Sequence, residues 1–106
     1  MIWKVEYTQT ALSDLDEIYN YISNILLEPG IAKNLVGLIM KEIRGLEQMP
    51  NRFHSAEQEH LQQKGIRIMV VKKYLVVYLP DEKSKCVRIL RIIYGGRDTS
   101  KQLIEE

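Results

Sequence analysis

Residues 64–96 read KGIRIMVVKKYLVVYLPDEKSKCVRILRIIYGG. Three runs in this stretch, 66–71, 74–79 and 85–94, are rich in β-branched and aromatic residues, the composition of strands. Lys72-Lys73 and Pro80-Asp81-Glu82-Lys83-Ser84 are short enough to be hairpin connections. The expectation is an antiparallel three-strand meander that Gly95-Gly96 brings to an end.

Upstream, residues 51–63 (NRFHSAEQEHLQQ) are polar, have neither a helical nor a strand period, and read as a loop. Before them, Leu35, Leu38, Ile39, Ile43 and Leu46 mark a helix ending near Pro50. Gly37 and Gly45 interrupt it, which suggests close packing against a neighbouring helix. Glu28-Pro29-Gly30 separates it from an earlier amphipathic helix with apolar positions at Ala11, Leu15, Ile18, Ile22 and Ile25. Thr8 offers that helix an N-cap hydroxyl, and Asp14, Asp16 and Glu17 sit early enough to complement its dipole. Trp3, Val5 and Tyr7 alternate with Lys4 and Glu6 as in a half-buried strand. Past Gly96, Thr99 or Ser100 could cap a short helix containing Leu103 and Ile104. The order is β-α-α-β-β-β: an α+β domain with a helical hairpin packed on one face of an antiparallel sheet.

At 106 residues the chain fits one domain, residues 1–106. The lone Cys86 excludes an internal disulfide and fits a reducing, cytoplasmic setting. No apolar run approaches the roughly 20 residues that span a bilayer, so no membrane association is expected. Net charge is only +1, yet residues 64–101 hold ten basic side chains against Asp81, Glu82 and Asp98. Anionic partners should dock on that half. Both alternating sets of the meander are apolar, and two helices cover one face. The other face should therefore present an apolar and basic surface to a partner.

Tyr7-Thr8 with Ala11, followed by Asp14-Leu15-Asp16-Glu17-Ile18-Tyr19-Asn20-Tyr21-Ile22, resembles the opening of RelE/ParE toxins. Pro50 with Arg52, Gly65-Ile66-Arg67, Tyr74 to Tyr78, and Val87 to Ile92 followed by Gly96-Arg97-Asp98 are similar to later parts of that family, in order and over nearly the whole chain. The resemblance implies the toxin of a type II toxin-antitoxin system, a growth inhibitor associated with plasmid stabilisation and blocked by the C-terminal segment of a cognate antitoxin. ParE-like members inhibit DNA gyrase without an established hydrolytic centre. RelE-like members are mRNA interferases, endonucleases that cut messenger RNA on the ribosome.

RNA cleavage needs a proton acceptor for the 2′-hydroxyl, cations over the phosphate and a donor to the leaving oxygen. Arg67, Arg88, Arg91 and Arg97 are candidate cations, with Lys64, Lys72 and Lys73 nearby, and the same side chains could instead bind the target or an acidic antitoxin. By resemblance Arg97 matches the arginine after the last strand of RNA-cleaving members, although Asp98 beside it could hold it in an ion pair. His54 and His60 are candidate bases. Their spacing of six fits no helical metal pair, and neither metal nor cofactor is expected. Tyr74, Tyr78 and Tyr94 could stack bases or simply pack across strands. Leu103 stands where the nucleases carry a tail aromatic, and Leu75 where several carry an arginine. The resemblance therefore favours the ParE-like, non-enzymatic activity, with the endonuclease as the alternative.

Overall fold

The structure is a computed structural model that describes residues 2–48, 50 and 64–95. Strand β1 (Lys4–Tyr7) leads into helix α1 (Gln9–Asn20), which widens into a π-helical turn at Tyr21–Ile25. Helix α2 (Pro29–Arg44) follows and ends in a 3-10 turn at Gly45–Glu47. Strands β2 (Arg67–Val71), β3 (Tyr74–Asp81) and β4 (Cys86–Tyr94) form the meander. The α+β class and the element order are as expected. The expected tail helix and residues 51–63 lie outside the described residues.

The sheet order is β1-β4-β3-β2. β3 is antiparallel to both neighbours, but β1 pairs parallel with β4, so the sheet is mixed instead of wholly antiparallel. The helical crossover carries the chain from one edge of the sheet to the other, and two hairpins then return it beside β1 in β1's own direction.

Thr8 caps α1 as expected, its hydroxyl oxygen accepting from the Ala11 N–H at 3.1 Å. Pro29, expected only as a breaker, occupies the first turn of α2, where its fixed φ suits the helix and its missing N–H costs nothing. The apolar period of α1 holds through Ile22, which is buried, and fails at Ile25, which is 67% exposed. The π turn accounts for the failure. Leu26 N–H reaches back five residues to Tyr21 C=O, inserting a residue that a 3.6 period does not anticipate.

Ile39, Ile43, Leu46, Met69, Val76, Tyr78, Val87 and Ile89 are almost wholly buried between the helices and the sheet. Each aliphatic side chain there contributes about 1.5–3 kcal/mol of transfer free energy. Tyr78 meets the polar requirement of its burial by donating to Pro50 C=O at 2.7 Å, which ties β3 to the chain beyond the 3-10 turn.

On the opposite face, Ile66, Val77 and Ile93 are buried among Ile68, Leu75, Leu79 and Leu90. The apolar surface expected there is thus largely packed into a second, smaller cluster, with Val70 as the exposed member at 64%. Strict alternation groups Ile89 with Ile93, whereas the structure groups Ile89 with Ile92. A β-bulge is the reason: Val77 pairs with Arg91 and Tyr78 with Ile89, leaving Leu90 unpaired and reversing the parity of β4 beyond it.

Gly37 does not mark close helix packing, because a Cβ built there meets nothing within 4 Å. Its remaining effect is to loosen the unfolded chain and weaken α2. Gly37→Ala is therefore expected to stabilise the fold by about 0.5–1 kcal/mol, read as a raised urea midpoint at unchanged slope. A lowered midpoint would mean that the α2 surface is occupied.

Candidate functional site

β1 has four residues and pairs with Cys86 to Ile89, so β4 outruns it. Beyond Ile89 the chain of β1 turns away into α1, and side chains from that turn take over the edge. Thr8 N–H and hydroxyl both donate to Ile89 C=O, at 3.0 and 2.9 Å, and the hydroxyl also lies 3.1 Å from Leu90 C=O. Asp14, from the second turn of α1, supplies the next contact. Its Oδ2 accepts from Ile92 N–H at 2.8 Å and from Arg91 Nε at 2.8 Å, while Oδ1 accepts from Arg91 Nη2 at 3.2 Å. Asp14 is buried and Arg91 largely so. A charged forked pair held this way is strong, and either partner left alone would be costly. Sequence reading assigned Asp14 to the helix dipole, yet no acidic residue lies in the first turn of α1 and Asp14 faces the sheet.

Past this clamp lies an open groove of about 1200 Å³ between α1 with its π turn and the end of β4. Ile18, Tyr21, Ile25, Leu26, Tyr74 and Tyr94 line much of it, and Glu17 stands at its side. Tyr74 and Tyr94 pack edge to face with centroids 5.5 Å apart. Burial, together with Tyr94 and Tyr21 nearby, raises the Tyr74 hydroxyl above the ordinary phenol range. Sequence analysis did not single out this groove. Its only trace there was an α1 apolar stripe running longer than the helix needed.

The basic candidates do not converge on one face. Arg67 pairs with Tyr78 and so belongs to the helix-side face. Arg88 lies opposite Leu79 on the outer face and beside Glu6 of β1. Arg91 is engaged by Asp14. Lys72 and Lys73 form the β2–β3 turn at the end of the sheet, Lys72 in the left-handed region at φ 56°. Lys64 lies with Lys83 and Arg88 along a cleft of about 470 Å³ at the other end, beside Asp81 and Glu82. Of those acids, Asp81 accepts from Lys83 N–H at 3.0 Å and is held below the usual carboxylate range by turn hydrogen bonds, from Ser84 first and Lys83 next. Glu82 pairs with Lys85 at 2.9 Å. Arg97, His54 and His60 lie outside the described residues. Tyr78 belongs to the core and cannot stack a base. Among the described residues no group of His, Cys, Asp and Glu could hold a metal.

The described arrangement is thus a four-strand mixed sheet under a helical hairpin, with basic side chains at its ends and rim. The family model for the ParE toxin of the type II toxin-antitoxin system, parDE, matches residues 5–99, and the chain belongs to that family. Among solved structures it is similar to the chromosomal ParDE system of P. aeruginosa, with a TM-score of 0.73, 24% identity, 88% of this chain and 96% of that chain covered. It is also similar to the RelBE2 complex of Mycobacterium tuberculosis, with a TM-score of 0.61, 22% identity and 89% and 99% covered. A mutant of E. coli RelE in the free state gives a TM-score of 0.69 at 11% identity, with 99% and 94% covered. At these identities the structures share the fold. No curated relative matches the chain.

Cys86 borders the smaller cleft, yet burial pushes its thiol up and the Glu6 carboxylate adds to the shift. A raised thiol keeps its proton in the folded chain after the unfolded chain has lost it. Stability from this source is therefore full below the ordinary thiol range and lost as pH rises through the raised value. Tyr7 and Tyr74, also raised chiefly by burial, act in the same direction at higher pH. A thiol-specific disulfide reagent at pH 8 is expected to modify Cys86 much more slowly in the native chain than in urea, with stability declining from pH 8 to 10.5. Equal rates would show that Cys86 is an accessible thiolate.

Proposed function

We propose that this toxin acts as a ParE-like inhibitor of DNA gyrase in the cytoplasm and is neutralised by a cognate antitoxin. The observation that carries the reading is the ParE family match over residues 5–99. The scattering of the described basic side chains supports it. Arg67, Arg88 and Arg91 sit on different surfaces, and Arg91 is committed to Asp14, which suits contacts with a macromolecule better than a compact phosphate-cleaving centre. Leu75, the apolar residue at the β3 position where several nucleases carry an arginine, packs into the outer cluster. The antitoxin is inferred from relatives solved in complexes, such as RelBE2 of Mycobacterium tuberculosis and archaeal RelE-RelB of Pyrococcus horikoshii. In this reading Arg67, Lys72, Lys73, Arg88 and Arg97 meet the target or the antitoxin. The endonuclease reading, with ribosome and messenger RNA as partners, gives Arg97 the phosphate and His54 or His60 the proton.

Controlled expression in bacteria, with plasmid supercoiling and transcript integrity followed together, separates the two. Loss of supercoiling with intact transcripts is expected, and codon-registered cuts before any supercoiling change would overturn the proposal. Arg97→Ala is expected to relieve growth inhibition while leaving the melting temperature within a few degrees. A target contact by a desolvated guanidinium is worth about 2–5 kcal/mol, against at most about 1 kcal/mol for a solvated pair with Asp98. Full toxicity of the folded variant would move the target contact to Arg67, Lys72 and Lys73.

A further inference from the structure

Where the π turn gives way to α2, Leu27 has a φ of 58°. It is the residue just past the C-cap Leu26, and the Glu28 N–H closes the turn around it by donating to Ile22 C=O at 2.9 Å. Helix ends favour glycine at that position, because a Cβ in the left-handed region crowds the following carbonyl. A leucine there is strained, and at 75% exposure it recovers little by burial.

The residues around Leu27 are of the same kind. Ile25, Leu26 and Ile31 are 67, 52 and 56% exposed, and from Ile18 to Ala32 the only charged side chain is Glu28. A Cβ built on Gly30 meets nothing within 4 Å, so the tip stands clear of its surroundings. The result is a convex apolar tip on a strained turn. It adds little to the stability of the fold, which leaves a partner that covers it as its reason. Convexity decides the kind of partner. A short extended segment has no recess to offer, whereas a large folded protein has concave apolar pockets. Charge narrows the choice further. The Lys72-Lys73 turn lies at the same end of the molecule, just before Tyr74, which lines the groove together with Tyr94 and the π turn. A two-fold pairing of tips would bring both lysine pairs near one another, which disfavours a second copy. An acidic rim would attract them.

We infer that the hairpin tip formed by Leu26, Leu27 and Ile31 is the wedge by which the toxin engages its target, entering an apolar recess on gyrase whose acidic rim meets Lys72 and Lys73. The inference rests on the gyrase reading above and adds the surface that engages gyrase and the kind of site that receives it. A few apolar anchors inside a polar rim carry most of the energy of such contacts. The Leu27 backbone holds its side chain outward before the target arrives, so that part of the ordering cost is met in the fold instead of on binding.

Strain gives the test its sign. Leu27→Gly removes the side chain and, with it, the steric cost of a φ of 58°, so the variant should unfold at the parent's urea midpoint or above. The same variant should inhibit supercoiling by purified gyrase roughly tenfold less well, or worse. Leu27→Asn, which tolerates the left-handed region, and Ile31→Gln in the first turn of α2 should show the same loss. Lys73→Glu should weaken inhibition more at low salt than at high salt. Ile2→Ser is the control and should inhibit like the parent. Ile2 is 68% exposed, but it precedes β1, whose Lys4 pairs with Cys86 at the opposite end of β4. Parent-like inhibition by the folded Leu27 and Ile31 variants, an equal loss in Ile2→Ser, or a lowered urea midpoint for Leu27→Gly would each overturn the tip assignment while leaving the gyrase reading intact. A parent chain inert on gyrase would overturn both. Retained inhibition with lost affinity for the antitoxin of the same operon would assign the tip to the antitoxin instead. A dimer in light scattering that the Leu27 variants dissociate would assign it to a second copy.

Discussion

The carboxylate of Asp14 is the contact on which the rest of the arrangement depends. One side chain from α1 receives two hydrogen bonds from Arg91 and one from the Ile92 backbone, on the side of β4 where, among the described residues, strand pairing with β1 has ended. A helix laid on a sheet by apolar contact alone can slide, because dispersion and transfer free energy have little direction. Three hydrogen bonds to one buried carboxylate do have direction. They fix α1 along β4 and, with it, the position of the π turn and the hairpin tip. Thr8 performs the companion task at the N-cap, six residues earlier, capping the helix and bonding Ile89 and Leu90 with the same hydroxyl.

The clamp also explains the bulge and the groove together. Arg91 is opposite Val77 in register, but its guanidinium is held at the β4 edge by Asp14. Leu90, the unpaired residue just before it, takes up the change of parity, so that Ile92 returns to the helix-side core. Among the described residues the edge beyond Ile92 has no strand paired on the β1 side, and the widened turn after Asn20 lies across the groove from it. A short first strand, a buried acid and a π turn thus border an open groove of about 1200 Å³. Tyr78 fills the centre of the helix-side core, and Val77 is buried in the outer cluster with Ile66 and Ile93.

Much of this was legible in the residues, and the rest was hidden for identifiable reasons. The β-branched runs separated by Lys72-Lys73 and by residues 80–84 define the meander, and Thr8 marks the start of α1, because hairpin and capping chemistry is local. Parallel pairing of β1 with β4 was not legible, since it depends on where a crossover lands some 80 residues later. Nor was the bulge at Leu90, because Ile89, Leu90, Ile92 and Ile93 are all apolar and either parity satisfies the pattern. Asp14 looks like any surface acid of an amphipathic helix until its position opposite Arg91 is known. The candidate cations were recognised as a cluster in sequence, but alternation, the bulge and the hairpin turn distribute them over separate surfaces. His54, His60 and Arg97 lie outside the described residues, so their readings stand as proposals.

The account stands most directly on coupling between Asp14 and Arg91. A double-mutant cycle of Asp14→Asn, Arg91→Gln and the pair, read by urea unfolding, isolates that coupling from the cost of each change alone. The expected coupling is about 2 kcal/mol, near the upper end for paired residues because Asp14 is buried and its partner largely so, with faster amide exchange at Ile92 in every Asp14 variant. Additive effects with unchanged Ile92 exchange would contradict it, and would mean that apolar packing alone sets α1 on the sheet.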